Sequence, residues 1–141
     1  MMDDNSDPLR ALVIDDNAIN RMLAIDLLGV HQIEADDAAE GNSGLDMLHA
    51  GRYDLVLLDI SMPGLDGEQV CKVIRENPRT RDLFVVAYTA HAFTTEKERI
   101  IAAGFDALLI KPISLKSLTK AIEPVLGREL QAGERSDLLS A

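Results

Sequence analysis

The chain has 141 residues, 47% hydrophobic and 27% charged, a size and composition that fit one folded domain burying about two-thirds of its unfolded surface and exclude disorder along most of its length. A formal net charge of −10 opposes direct binding to nucleic acid, which needs Lys and Arg to displace counterions from phosphates. The single cysteine, Cys71, excludes an internal disulfide and a cysteine-built metal site and suits a reducing cytoplasm; the acidic start Met1 to Pro8 is not a secretory signal, and no apolar stretch approaches the ~20 residues of a membrane span.

Short runs of Leu, Val and Ile recur without polar alternation, and segments with helical spacing lie between them, the pattern of parallel strands covered on both faces. Residues 1–9 read as an extension, 10–126 as the folded domain, and 127–141 as a flexible tail. The first strand is Arg10 to Ile14, followed by a helix with Ile19, Met22, Leu23 and Leu27 on its apolar stripe and Gly29 as its stop. A second strand is expected around Gln32 to Ala35, then a helix starting at Asn42 or Ser43, where Ser43 and Asp46 have capping-box spacing and Leu45 and Leu48 point inward.

The third strand is Asp54 to Leu58; beyond its loop, Asp66 and Gln69 form a capping box for a helix that turns Val70, Val73 and Ile74 to the sheet and ends at Asn77-Pro78. The fourth strand, Phe84 to Tyr88, leads to a helix with Thr95 and Glu98 at capping-box spacing and Gly104 at its close. The fifth strand, Ala107 to Ile110, leads through Lys111-Pro112 to a last helix carrying Leu115, Leu118, Ile122 and Val125, which Pro124 should bend or fray.

Five polar residues stand abruptly at strand ends: Asp15 and Asp16 after the first, Asp59 after the third, Thr89 after the fourth and Lys111 after the fifth. Right-handed crossovers give an open parallel sheet between helix layers, whose ligands sit outside the carboxyl ends of the strands. A strand order of 2-1-3-4-5 makes the first and third strands neighbours and collects all five residues in one place. Three carboxylates there repel one another, a single pair ~4 Å apart by on the order of 4 kcal/mol at an effective dielectric near 20. Lys111 alone would leave the cluster at about −2, so either a carboxyl takes up a proton or a cation binds, and oxygen ligands with room for water suit Mg²⁺.

A carboxylate beside Mg²⁺, an ammonium and a Thr hydroxyl is equipped to attack phosphorus and form an aspartyl phosphate. Such transfer rests on positioning and electrostatics, so the lack of a neighbouring base is no obstacle. Neither a Walker pattern nor Gly-x-Gly-x-x-Gly follows the first strand, which argues against a nucleotide bound as donor.

At Asp15-Asp16, Asp59 with Met62-Pro63-Gly64-Leu65-Asp66-Gly67, Thr89-Ala90 and Lys111-Pro112, the chain resembles the receiver domain of two-component response regulators, of the single-domain, chemotaxis-regulator-like type, over about Arg10 to Leu126. The resemblance implies a flavodoxin-like, doubly wound (βα)5 fold with a five-stranded parallel sheet. It implies that Asp59 accepts a phosphoryl group from a phosphohistidine on a histidine kinase or histidine phosphotransfer protein. By the same resemblance Asp16, Asp59 and the Ser61 carbonyl bind Mg²⁺, with Asp15 helping through water, while Thr89, Ala90 and Lys111 meet the phosphoryl oxygens and the bond before Pro112 is cis. Output then passes to a downstream protein target, or through homodimerisation, by way of the fourth helix, fifth strand and fifth helix. Leu108 departs from the pattern, standing where the family commonly has an aromatic switch residue.

Plainer readings stand beside these. Asp15 and Asp16 before Asn17 also suit a helix N-cap, Asp59 a turn, and Lys111-Pro112 a loop. Ser61 and His91, each two residues past a motif residue, either govern water access to an acyl phosphate or are solvated; His31 and His49 read as surface residues and Cys71 as a packing thiol. A phosphatase of the haloacid dehalogenase kind is a rival, but it needs a second Asp where Ser61 stands. A phosphorylation-independent adaptor that keeps the fold, and a receiver excised from a hybrid histidine kinase, are further rivals.

Overall fold

The computed structural model describes residues 8–62, 64–90 and 94–140, with the side chains of 94–96 and 128–140 outside that description. Five strands, β1 (Arg10–Ile14), β2 (Glu34–Ala38), β3 (Leu55–Asp59), β4 (Phe84–Thr89) and β5 (Ala107–Ile110), alternate with α1 (Ala18–Val30), α2 (Gly41–Ala50), α3 (Gly67–Glu76), α4 (Thr94–Ala102) and α5 (Leu115–Ser140). All pairings are parallel and the order is β2-β1-β3-β4-β5, as expected from the run of βα units. The order reverses between β1 and β3, so the switch point lies at the ends of those two strands.

Side-chain alternation sends each central strand into two cores. Ala11, Val13, Leu55, Leu57, Phe84, Val86 and Tyr88 join Ala24, Leu28, Leu118 and Ile122 on one face of the sheet. Leu12, Ile14, Val56, Leu58, Val85 and Ala87 join Leu45, Leu48, Val70, Ile74 and Ile100 on the other. Each fully enclosed aliphatic side chain contributes about 1.5–3 kcal/mol. This two-sided burial is why the strands show no polar alternation.

Several boundaries differ from the sequence reading. Strand β2 starts two residues later and ends three later than expected, because Gln32 takes φ 61° and the chain turns there before the Glu34 amide donates to the Leu9 carbonyl. Helix α1 runs through Gly29 to a cap at His31, and buries Ala24 and Leu28, while of the proposed stripe only Leu27 packs against the core. Ile19 and Met22 are 76% and 65% exposed, and Leu23 is also at the surface. Helix α2 starts at Gly41 without a side-chain cap, and the Ser43 hydroxyl donates to the Glu40 carbonyl instead of pairing with Asp46. The α3 capping box of Asp66 and Gln69 forms as expected, with both reciprocal bonds at 2.9 Å. Gly104 closes α4 at φ 107°, where a side chain would be strained.

The Thr95 cap and His91 fall outside the described side chains. Helix α5, with Ser114 and Ser117 bonded to each other at its start, passes Pro124 and keeps a helical backbone to Ser140, past the residue where the sequence reading placed a tail. His31 is no simple surface residue: its Nε2 lies 2.7 Å from Thr119 Oγ1 and so ties the end of α1 to α5. His49 Nε2 is buried with no hydrogen-bond partner among the described residues. Cys71 is the expected packing thiol, enclosed under α3, and burial pushes it up to about 11, which leaves it inert.

Candidate functional site

The carboxyl ends of β1 and β3 place Asp15, Asp16 and Asp59 so that one oxygen from each lies within 4.8 Å of the others. Asp15 is enclosed and held on several sides: its amide donates to the Ala38 carbonyl, its Oδ1 accepts from the Asn17 amide at 2.8 Å, and its carbonyl accepts from Arg21 Nη1 at 2.8 Å. Arg21 also donates to Asp37 at 2.7 Å, so one guanidinium fixes the β1 end against β2. Capping of α1 falls to Asn17, whose Oδ1 accepts from the Asn20 amide, and this frees both aspartates for the site.

Asp59 is the last residue of β3, opposite Tyr88, and is almost fully buried. Its Oδ1 accepts from the Ser61 amide at 2.9 Å, and its Oδ2 accepts from Lys111 Nζ at 3.2 Å. Lys111 Nζ also stands 3.4 Å from Asp15 Oδ2. Lys111 reaches the cluster from just past β5, where its amide donates to the Thr89 carbonyl and its bond to Pro112 is cis, as the resemblance implied. Thr89 is buried at the end of β4, and Ala90 is exposed beside it. The anticipated residues therefore converge on one sheet edge; Ser61 is exposed, with its amide engaged by Asp59.

Burial is the main cause that raises Asp15 above the ordinary carboxyl value, with the negative charge of Asp59 adding to it and the Asn17 amide and Lys111 opposing it. One ammonium does not balance three carboxylates. Asp15 Oδ2 is buried without a hydrogen bond among the described residues. A hard, all-oxygen donor set whose charge one ammonium leaves unbalanced fits a small divalent cation such as Mg²⁺.

Gly67 sets the approach of α3 to this edge. A Cβ there would stand 2.6 Å from the Asp59 carbonyl oxygen and from Ile60 Cα, both backbone atoms that cannot give way cheaply. Gly67→Ala is accordingly expected to lower stability by about 2 kcal/mol, read in urea or thermal unfolding. A cavity of about 480 Å³ lies at the other end of the sheet, lined by Arg75, Arg81, Asp82, Leu83, Phe84 and Asp106. Every N–H of Arg75 there is already bonded within the protein, so Arg75 has none left for a ligand in that cleft.

Sequence reasoning missed Tyr88 as a neighbour of the site; its ring lies under Lys111 Nζ at 4.8 Å. A signal existed, since a bulky polar aromatic directly precedes Thr89 in an otherwise apolar strand. It also missed Arg21, whose role depends on the bend that brings β2 alongside.

Comparison with known proteins agrees with this geometry. Residues 11–123 match the response regulator receiver domain family. The chain is 32% identical over 120 residues to the polar-differentiation response regulator DivK of Brucella anthropi, covering 85% of this chain and 98% of that protein. It is 37% identical over 119 residues to the sensor histidine kinase RcsC of Salmonella typhi, covering 84% of this chain, and spans only 12% of that longer protein. Among solved structures, the receiver domain of the sensor histidine kinase PA1611 from Pseudomonas aeruginosa, with a magnesium ion coordinated in its active site cleft, aligns at a TM-score of 0.77 and 26% identity, covering 86% of this chain and 99% of that one. On its sequence match, its strand order and the convergence of its acidic residues and lysine, the chain belongs to the family of response regulator receiver domains.

Proposed function

We propose that this receiver domain is a phosphoacceptor switch of a two-component phosphorelay, taking a phosphoryl group on Asp59 from a phosphohistidine of a histidine kinase or phosphotransfer protein. The observation that carries it is the buried Asp59 carboxylate, fixed by the Ser61 amide and Lys111 within a cluster whose negative charge exceeds its bound positive charge. An Asp59 oxygen attacks phosphorus, the bond from phosphorus to the donor nitrogen breaks with its electrons on the imidazole, and the imidazole takes a proton from solvent. Lys111 and the Thr89 hydroxyl neutralise and orient the phosphoryl oxygens, and the Ser61 amide keeps the carboxylate aimed. Asp16, Asp59 and the Ser61 carbonyl would hold Mg²⁺, with Asp15 acting through water; the ion would offset the carboxylate repulsion and the phosphoryl charge.

The exposed apolar side chains Ile19, Met22 and Leu23 flank the acidic edge on α1, and support a protein rather than a small molecule as the natural donor. Ile101, Ile110 and Leu115 are exposed on α4, β5 and α5, which supports that face as the output surface for a downstream target or a second copy. Leu108 packs half-buried against the second core, where an aliphatic chain offers no hydroxyl to couple to Thr89. The reading places the switch in the cytoplasm; no helix among the described residues is long and apolar enough to cross a membrane.

Incubation with a small acyl phosphate and Mg²⁺ is expected to add one phosphoryl mass to the native chain and none to Asp59→Asn, by intact mass spectrometry. Equal addition to both chains, or none to either, refutes the assignment of Asp59.

A further inference from the structure

Lys111 is held by three neighbours, and only two of them are anions. Its Nζ lies 3.2 Å from Asp59 Oδ2, 3.4 Å from Asp15 Oδ2 and 4.8 Å from the centroid of the Tyr88 ring. The anionic holds change with the state of the site, because a divalent cation and a phosphoryl group each compete for the same carboxylate oxygens. The ring is uncharged and does not change. It is also 1% exposed, packed into the first core with Leu109, Ile113 and Leu118, so it is a fixed surface.

The hydroxyl of Tyr88 is a second, independent oddity. It is buried without a hydrogen-bond partner among the described residues, where a Phe of the same shape would leave no polar atom unsatisfied. Burial, with the charges of Asp15 and Asp59 adding, pushes the phenol up to about 12, so it stays neutral and the ring face keeps its attraction for a cation.

Building on the phosphoacceptor reading, we propose that Tyr88 is a positioning residue for the phosphoryl transfer: its ring is the platform that keeps the Lys111 ammonium over the carboxylates, ready to meet the incoming phosphoryl oxygens. Without the platform Lys111, whose side chain is 20% exposed, has solvent as its alternative, and the charge stabilisation at Asp59 is no longer preorganised. The ring acts and the hydroxyl is incidental. Tyr88 thereby supplies, from β4 and from beneath, a constraint on Lys111 that does not depend on Leu108 or on the output face.

The test measures phosphoryl loading from a small acyl phosphate with Mg²⁺ in the native chain, Tyr88→Phe and Tyr88→Leu, each shown folded by circular dichroism. Tyr88→Phe should load within about twofold of native, and Tyr88→Leu about fivefold more slowly, the range a desolvated cation–ring contact allows. A native chain that takes up no phosphoryl group overturns the phosphoacceptor reading and this inference with it. A native chain that loads while Tyr88→Leu keeps pace, or while Tyr88→Phe slows as much as Tyr88→Leu, overturns the role of the ring alone.

Discussion

Arg75→Ala is expected to lower unfolding stability by about 3 kcal/mol and the melting temperature by roughly 10 °C, the largest loss from any single surface-reaching side chain. Arg75 leaves α3 and spends all five N–H groups on atoms far apart in sequence. Nε and Nη2 donate to the Gly104 carbonyl at 2.9 and 2.7 Å, and Nη1 donates to the Arg81 and Leu83 carbonyls, each at 2.7 Å. Nη2 also donates to Asp106 Oδ2 at 2.7 Å, and that same oxygen accepts from the Val85 amide. One guanidinium therefore joins α3, the segment before β4, the turn after α4 and the segment before β5.

Its removal strands three carbonyls and leaves Asp106 with one donor fewer. The ion pair itself counts for little, because Arg75 and Asp106 are 23% and 39% exposed and water screens them; the carbonyl bonds dominate. Arg75→Lys should recover less than half of the loss, since an ammonium cannot reproduce the planar fork. All of this lies at the amino ends of β4 and β5, so phosphoryl loading of Asp59 in the folded variant should match native. Unfolding in urea and intact-mass loading on the same samples check both halves.

Arg75 also marks where the sequence stops being readable. The strands were legible because β1, β3 and β4 are buried on both faces and so appear as runs without polar alternation. The site was legible for the same reason: a charge directly after such a run has to be at a strand end, and parallel order gathers the ends. Helix α3 was legible because Asp66 and Gln69 are a local signal that needs no tertiary context.

The bounds of strand β2 are misplaced in a sequence reading because it is an edge strand whose Asp36 and Asp37 are satisfied by Arg10, Tyr53 and Arg21, so its residues carry no apolar signature. The buried face of α1 escapes it because apolar residues nearly encircle the helix, and periodicity cannot say which flank meets the sheet. The structure turns Ala24 and Leu28 inward and leaves Ile19 and Met22 exposed. Arg75, Arg21 and Tyr88 act through partners supplied by other elements, and no local pattern announces them.

Asp15→Asn should stabilise the metal-free protein by about 1–2 kcal/mol near neutral pH while weakening Mg²⁺ binding at least about tenfold. Asn keeps the oxygen that accepts from the Asn17 amide, so the β1 end retains its shape. What disappears is one of three converging charges, the one enclosed most completely. The sign with pH follows from the raised value of Asp15. A carboxyl whose folded value lies above its unfolded one favours folding most below the unfolded value, and that contribution is lost as pH rises through the folded value.

Above that folded value the native chain has lost it, whereas Asn never ionises. The advantage of Asp15→Asn should shrink as pH falls toward the ordinary carboxyl range. Mg²⁺ should narrow or reverse the gap from the other side: at a hundredfold excess over its dissociation constant it would add about 2.7 kcal/mol to the native protein and much less to the variant. Thermal melts of both chains at neutral and acidic pH, with Mg²⁺ and with a chelator, measure each of these differences. A metal-free variant less stable than native at neutral pH, together with an undiminished response to Mg²⁺, would place Asp15 outside the cation site and make its burial a matter of packing alone.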